Sequence, residues 1–198
     1  MQIEHLYKEM SLDTTKTEKE FKHALAECRE VFANKLKDYS ASWRIMRPQT
    51  LTDQLFIKAK NIRAFEISGE SRVGDSMKSD FMALINYGII GLIQLEKGYA
   101  DRVDISRDEA LALYDKYAGQ TYDLMLKKNH DYGEAWRDMR VSSYTGLILT
   151  KIERIKEIED HNGQTTVSEG IDSNYMDIIN YAVFGVIRED YYEKEREK

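Results

Sequence analysis

The sequence predicts an all-α fold, a helical bundle built from two tandem three-helix repeats that are related by a pseudo-twofold axis. Three observations lead to this fold class. The chain of 198 residues contains one proline and is rich in strong helix formers. The segment KDYSASWRIMR, which begins at Lys37, is written again as HDYGEAWRDMR, which begins at His130. Two strongly apolar segments, 80–93 and 174–187, also match each other.

Each repeat contains one copy of an aromatic and basic motif. The chain has two tryptophans, and these residues, Trp43 and Trp136, occupy the same position in the two copies. Chance would rarely produce this match, so we infer a duplication. We expect residues 1–198 to form a single helical domain, with repeat one at about 17–98 and repeat two at about 106–190.

Three helices are predicted in each repeat. Thr17 with Glu20 has the pattern of a capping box, which marks the start of a helix. Ser106 with Glu109 has the same pattern in the second repeat. The other predicted helices lie at 50–66 and 80–93 in the first repeat and at 143–159 and 174–187 in the second.

The third helix of each repeat is apolar on nearly all sides, which predicts a place at the centre of the bundle. Small residues at Gly91 and Gly185 would let the two central helices approach closely. Asn86 and Asn180 lie in the middle of these helices, where an amide without a partner costs about 1–3 kcal/mol. Each asparagine therefore needs a partner, which is the opposite asparagine, a backbone carbonyl or a ligand.

Composition argues against several classes of protein. The formal charge of −6 provides no broad basic surface for polymeric nucleic acid. The longest apolar run, 81–95, is shorter than the roughly 20 residues that cross a bilayer, and the first residues lack the pattern of a secretory signal. The single cysteine, Cys28, lies on the apolar stripe of a helix and suits a reducing compartment. We expect a cytoplasmic protein without a membrane partner, and the residues leave self-association open.

The repeated motif also has the residue types of a nucleotide site. Aromatic rings stack on nucleobases, and arginine forks match phosphate oxygens. Lysines on the neighbouring helices would add positive charge. The candidate residues are Arg44, Arg47 and Lys58 in the first repeat and Lys128, Tyr132, Trp136, Arg137, Arg140 and Lys151 in the second. In the alternative interpretation, each tryptophan caps the core and each arginine pairs with a neighbouring aspartate.

Three short motifs, in their order and spacing, resemble the nucleotide modification associated domain family, an all-helical group. The family pattern is Lys-x-x-Asp-Tyr-Gly, then Lys-x-x-Arg-Ile, then Asp-x-x-Asn-Tyr. The second repeat carries this pattern as Lys128, Asp131, Tyr132 and Gly133, then Lys151, Arg154 and Ile155, then Asp177, Asn180 and Tyr181. The first repeat departs from it, with Ser40 for the glycine, Asn61 for the arginine and Ala83 for the aspartate.

The resemblance implies a role linked to nucleotide metabolism or to modified bases in DNA, and it implies no particular reaction. We expect one principal nucleotide site, formed mainly by the second repeat. Asp131, Asp177 and Lys151 are its catalytic candidates, with an aspartate as metal ligand or general base. Arg154 and Asn180 join the candidate binding residues.

Two other functions stay open, as does the question of whether the protein is an enzyme. One is a scaffold or binding module without catalysis, in which the motif only shapes a turn. The other is a Mg²⁺-dependent hydrolase similar to the all-helical nucleoside triphosphate pyrophosphatases, whose doubled carboxylate motifs are missing here. Such an enzyme needs carboxylates around Mg²⁺, and Glu27, Glu30 and Asp177 are the candidates.

Overall fold

Six α-helices make up the described part of the chain and confirm the all-α fold class. The structure, a computed structural model, describes residues 2–69, 76–166 and 169–196, with side chains for 16–69, 76–166 and 169–190. The helices are α1 (Gln2–Tyr39), α2 (Pro48–Ser68), α3 (Met77–Lys97), α4 (Arg107–Tyr132), α5 (Val141–Asp160) and α6 (Ile171–Arg196). A short 3₁₀ turn follows α1 at Ser42–Ile45, and another follows α4 at Ala135–Asp138.

The helices form three layers, and each layer holds one helix of the first repeat and its counterpart of the second. Helices α3 and α6 pack together at the centre, as their apolar sequences predict. Helices α2 and α5 lie against each other and against this central pair, and α1 and α4 contact it as well as each other. Exchanging the two repeats maps each of these contacts either onto itself or onto its counterpart, which is the arrangement of a pseudo-twofold axis.

Glycines allow the two central helices to approach closely. A Cβ added at Gly91 would lie 2.6 Å from the Tyr175 ring, and one added at Gly185 would lie 2.7 Å from the Phe81 ring. Tyr175 and Phe81 occupy equivalent positions in the two repeats. Each central helix therefore presents one aromatic ring to the glycine of the other, and only a hydrogen side chain leaves room for it.

All buried apolar side chains of the described residues except Ile158 form one continuous cluster, to which all six helices contribute. Cys28 lies in this cluster and is fully buried. Burial raises the pKa of its thiol to about 12, so the thiol is inert at neutral pH. The structure thus shows one shared core, and folding of the whole chain as one domain stays a prediction.

One predicted helix start is wrong. Helix α1 begins at Gln2, so Thr17 lies inside it and caps nothing. The segment before Thr17 contains neither glycine nor proline and therefore nothing that stops a helix. The Thr17 side chain is buried, and its hydroxyl donates a hydrogen bond to Glu134 of the other repeat. The helix start at Ser106 is confirmed, because the Ser106 hydroxyl accepts a hydrogen bond from the Glu109 amide, whereas the Glu109 carboxylate accepts from Lys97.

Two equivalent hydrogen bonds join α2 to α5. The Thr52 hydroxyl donates to Glu159 over 2.8 Å, and the Thr145 hydroxyl donates to Glu66 over 2.5 Å. The two carboxylates differ in their surroundings, because Arg63 lies 3.6 Å from Glu66. Burial raises the pKa of Glu159, and the hydrogen bond from Thr52 offsets only part of this effect.

This raised pKa predicts a pH-dependent gain in stability for Glu159→Gln. The raised pKa means that the folded chain disfavours the ionised Glu159 carboxylate. The protonated side chain therefore contributes stability below the ordinary pKa of 4.5, and this contribution is lost as the pH rises through the pKa of Glu159 in the folded chain. The variant should therefore raise Tm at about pH 7, and the gain should vanish toward about pH 4. Calorimetry at both pH values checks this. Glu66→Gln is the matched control and should not stabilise, because it removes the partner of Arg63.

Candidate functional site

The repeated motif forms the sharp connection between the first and second helix of each repeat. In both copies the chain leaves the helix through a residue with positive φ, Ser40 at 53° and Gly133 at 57°. A glycine adopts this conformation without strain, whereas serine does so at some cost. Next comes a 3₁₀ turn that holds the tryptophan, and then Arg47 or Arg140 in extended conformation as the N-cap of the next helix.

Both tryptophans belong to the core. Trp136 stacks on Phe184 with ring centroids 4.4 Å apart, and Trp43 contacts Phe32. Trp136 is only 5% exposed. This placement matches the alternative in which the tryptophans cap the core, and it leaves Trp136 little free ring surface for a nucleobase.

Arg44 lies in a buried network of hydrogen bonds, with a side chain 1% exposed. Its guanidinium donates to both carboxylate oxygens of Asp104, over 2.7 and 3.1 Å. It also donates to the Gln94 side chain and the Gly98 carbonyl, so it ties the 3₁₀ turn to the end of α3. The guanidinium nitrogens of Arg44 thus already donate hydrogen bonds to acceptors of the protein.

Arg137 makes comparable contacts within the second repeat and across to α1. Its guanidinium donates to Glu134 over 2.6 Å and to Glu20 over 2.8 Å. It also lies over the Trp136 ring, 4.3 Å from the centroid. The sequence offers two arrangements for Asp131 and Arg137, a common cleft with the lysines or a mutual pair, and the structure shows neither of them.

Several other candidate residues lie near the surface. Asp131 contacts His130, and Tyr132 is 72% exposed at the end of α4. Arg47 pairs with Asp101 over 2.6 Å. Arg140 and Arg154 are exposed as well. The structure does not bring these five candidates together at one point, and their roles as ligands stay predictions.

Three candidates from three different helices do meet. Lys128 of α4 and Lys151 of α5 both donate to Asp177 of α6. The Lys151 ammonium lies 2.6 Å from the Asp177 carboxylate. The Asp177 side chain is 7% exposed. Burial would lower the pKa of Lys128, but the hydrogen bond and charge of Asp177 outweigh it, and the pKa is raised. We call Lys128, Lys151, Asp177 and the neighbouring Asn180 the second-repeat site.

Asn180 is buried and has no hydrogen-bond partner among the residues that the structure describes. It lies one turn after Asp177 on the same face of α6, and neither its amide nitrogen nor its oxygen is bonded to any described residue. The equivalent Asn86 is satisfied, because it donates to the Cys28 carbonyl and accepts from the Tyr114 hydroxyl. Tyr114 belongs to the second repeat, and its counterpart in the first repeat is Phe21, which has no hydroxyl to donate to Asn180.

Lys58 marks the corresponding place in the first repeat, but its carboxylate partner comes from a different position. Lys58 donates to Asp80 over 2.8 Å, whereas Ala83 stands where the second repeat has Asp177. Position 80 corresponds in turn to Asn174. Between the repeats the carboxylate has therefore moved by about one helical turn along the central helix.

Sequence reasoning missed Asp80. It did not show that the first repeat carries its carboxylate at position 80, in place of position 83. The signal lies in the aligned segments DFMA, beginning at Asp80, and NYMD, beginning at Asn174. Each segment holds one carboxylate on the same helical face, because positions three apart on a helix are neighbours. The partners of Asn86 and the Asp104 partner of Arg44 come from distant segments and leave no comparable signal.

The carboxylates proposed for Mg²⁺ do not assemble. Within the described ranges, no group of three or more histidine, cysteine, aspartate or glutamate residues could hold a metal ion. Glu27 pairs with Lys78, and Asp177 is held by its two lysines. Nor does any helix in the described part of the chain have the length and apolarity to cross a membrane.

By its fold and site, the chain is a duplicated all-helical protein in which lysines from two helices contact one carboxylate of a central helix. The family model for "Nucleotide modification associated domain 1" matches the chain twice, at residues 35–95 and 128–188. The chain belongs to this family. The two matched regions are the two repeats, which confirms the tandem duplication. No curated protein and no solved structure matches the chain.

Proposed function

We propose that this protein binds a nucleoside phosphate at the second-repeat site. Lys128 and Lys151 hold the phosphate, and Asn180 hydrogen-bonds the base. One observation carries the proposal: two ammonium groups meet at a buried carboxylate beside a buried amide that has no partner in the described part of the chain. The family name, which points to nucleotide modification, is consistent with such a ligand.

The charges of this site fit an anionic ligand. Two lysines and one aspartate leave one positive charge in excess, and a phosphate can take the place of Asp177 as their hydrogen-bond acceptor. The Lys128 side chain is 43% exposed, so its ammonium can turn toward a ligand in solvent at small cost. Lys151 is 13% exposed and is held more firmly.

Asn180 supports a base as the second part of the ligand. A buried amide without partners costs about 1–3 kcal/mol, and a ligand that satisfies it recovers this free energy. An asparagine side chain offers one donor and one acceptor side by side, which matches the paired acceptor and donor on the edge of a nucleobase. The burial of Asn180 would make this contact a source of discrimination between bases.

Calorimetric titration and thermal shift with nucleosides and with nucleoside mono- and triphosphates, with and without Mg²⁺, test the proposal. A ligand at 100 times its Kd adds about 2.7 kcal/mol of stability. Lys151→Met keeps the aliphatic stem and should weaken binding at least tenfold, about 1.4 kcal/mol. Lys156→Met is the matched control: it lies on the same helix, pairs with Glu153 and should leave the affinity unchanged.

Two results would count against nucleotide binding. One is the absence of a shift with any nucleotide. The other is equal affinity of the wild type and Lys151→Met. A scaffold role then becomes the better interpretation, and the protein-bound arginines favour it, since Arg44 and Arg137 already have carboxylate partners.

A further inference from the structure

The first repeat encloses a cleft that the second-repeat site does not explain. Its volume is about 620 Å³, within the range of small-molecule sites. Residues of α1, the following 3₁₀ turn, α2 and α3 line it. We call it the first-repeat cleft. It contains the first-repeat counterparts of seven family motif residues, which are Lys35, Tyr39, Ser40, Lys58, Ala83, Asn86 and Tyr87.

The lining of the cleft is positively charged and otherwise mainly apolar. Lys35 and Lys58 are its two charged side chains, and no aspartate or glutamate lines it. Lys58 is paired with Asp80, which does not line the cleft, so Lys35 supplies the excess positive charge. Ala83 occupies the position where the second repeat has Asp177, so the wall carries a methyl group in place of a carboxylate. Lys35 forms no ion pair with any residue of the described ranges, whereas its counterpart Lys128 is bound to Asp177.

Aromatic side chains make up much of the remaining wall. Phe32, Tyr39, Trp43 and Tyr87 all line the cleft. Tyr39 is 66% exposed, so its ring is largely free for a ligand. Flat rings in a pocket favour a flat apolar partner, because aromatic pairs add to the free energy of area burial.

We propose that the first-repeat cleft is a second binding site, for a small molecule with an aromatic ring and one anionic group, a phosphate or a carboxylate. Lys35 and Lys58 hold the anion, and the aromatic wall packs against the ring. The two repeats have thus diverged into unequal sites. Asn86 is already satisfied by protein groups, so the first-repeat cleft lacks the free amide that the second-repeat site has in Asn180.

The inference does not require the proposed function, because its test reads the first repeat alone. Trp43 lines the cleft, and Trp136 is the other tryptophan of the chain. In Trp136→Phe, a substitution that keeps an aromatic ring against Phe184, the indole fluorescence reports on the first repeat only. A ligand that binds only to the second-repeat site should leave this signal unchanged.

The titration uses five probes with this reporter protein. Phenyl phosphate and phenylacetate carry the anion as phosphate and as carboxylate, and a nucleoside monophosphate is the larger phosphate probe. Benzyl alcohol has the aromatic ring without the anionic group, and inorganic phosphate has the anionic group without the ring. We expect saturable changes in Trp43 fluorescence with at least one ring-bearing anion, and at least tenfold weaker binding of benzyl alcohol and of inorganic phosphate.

Two variants test the role of the missing carboxylate. Lys35→Met removes the charge of an exposed side chain and should weaken anion binding at least tenfold. Ala83→Asp restores the carboxylate of the second repeat and should abolish it. Lys128→Met, in the other repeat, is the matched control and should leave the Trp43 titration unchanged, with circular dichroism confirming that all variants are folded.

Several outcomes would overturn the second site. These are no saturable change with any probe, benzyl alcohol binding as well as phenyl phosphate, or folded Lys35→Met and Ala83→Asp variants that bind like the parent. Loss of nucleotide binding in Lys151→Met together with an intact Trp43 titration would show two separate sites. A Trp43 titration without any effect of Lys151→Met on nucleotides would support the second site and contradict the proposed function.

Discussion

Gly91→Val and Gly185→Val should each destabilise the protein by about 3 kcal/mol or more. A Cβ at either position would lie within 3 Å of an aromatic ring of the opposite central helix, 2.6 Å for Tyr175 and 2.7 Å for Phe81. Such contacts force the helices apart or push a buried ring out of its rotamer, and overpacking of this kind costs about 1–3 kcal/mol or more. For a chain of this size, Tm should fall by roughly 6–12 °C, to be measured by calorimetry.

Gly119→Ala is the control for this prediction. Gly119 lies in α4, and a Cβ there meets nothing within 4 Å. The substitution should stabilise by about 0.4–1 kcal/mol, because alanine restricts the unfolded chain more than glycine does. Gly91→Val combined with Tyr175→Ala should cost less than the sum of the two single losses, since the second change empties the space that valine needs. An unchanged Tm in both valine variants would contradict the close approach of α3 and α6.

Asp177→Ala should have the second largest effect and lower the free energy of unfolding by about 3 kcal/mol. Removing one partner of a buried ion pair leaves the other charge uncompensated, which costs about 3–5 kcal/mol in a fully buried pair. Lys151, at 13% side-chain exposure, bears this cost, whereas Lys128 can turn to solvent. Denaturant unfolding at neutral pH measures the loss. The raised pKa of Lys128 means that its share is present at neutral pH and disappears only above about 10.5.

Two further variants make this prediction specific. The double variant Lys151→Met with Asp177→Leu should be more stable than Asp177→Ala, because apolar replacement of both charges removes the desolvation cost. Asp115→Ala breaks the exposed pair with Arg29 and should cost less than about 1 kcal/mol. If Asp177→Ala is no worse than Asp115→Ala, the lysines do not depend on Asp177, and the second-repeat site loses its structural basis.

The duplication lets each half of the molecule serve as a reference for the other. Where the two halves agree, as in the Thr52–Glu159 and Thr145–Glu66 hydrogen bonds, the feature belongs to the common architecture. Where they differ, one site has changed while the fold has not. The position of the carboxylate on the central helix is such a difference. The second repeat has Asp177, whereas the first repeat has Ala83 at that position and its carboxylate three residues earlier, at Asp80. This difference separates the two proposed ligands.

Much of the fold could be predicted from local sequence patterns. Helical composition, the repeated motif and the match between 80–93 and 174–187 predict the six helices and the central pair correctly. The start of α1 could not be predicted in this way. Thr17 has the capping pattern, but its hydroxyl is used by Glu134, a residue more than a hundred positions away.

The candidate site was predictable only in part. Lys128, Lys151 and Asp177 come from the family motifs, and the structure brings their side chains together. Trp136 and Arg137 come from the same kind of pattern, yet their partners are Phe184 and Glu20. Residue types alone do not distinguish an arginine that is available to bind a phosphate from one that is already paired with a carboxylate of the protein.

By itself, the sequence determined the helices, their duplication and the family, because these depend on residue types at short, regular spacings. Only the tertiary structure decided which charges are neutralised and which polar groups are left unsatisfied. Asn86 and Asn180 show the physical reason. Asn86 accepts a hydrogen bond from the Tyr114 hydroxyl of another helix, whereas Asn180 has no partner among the described residues and the counterpart of Tyr114 is Phe21, which has no hydroxyl.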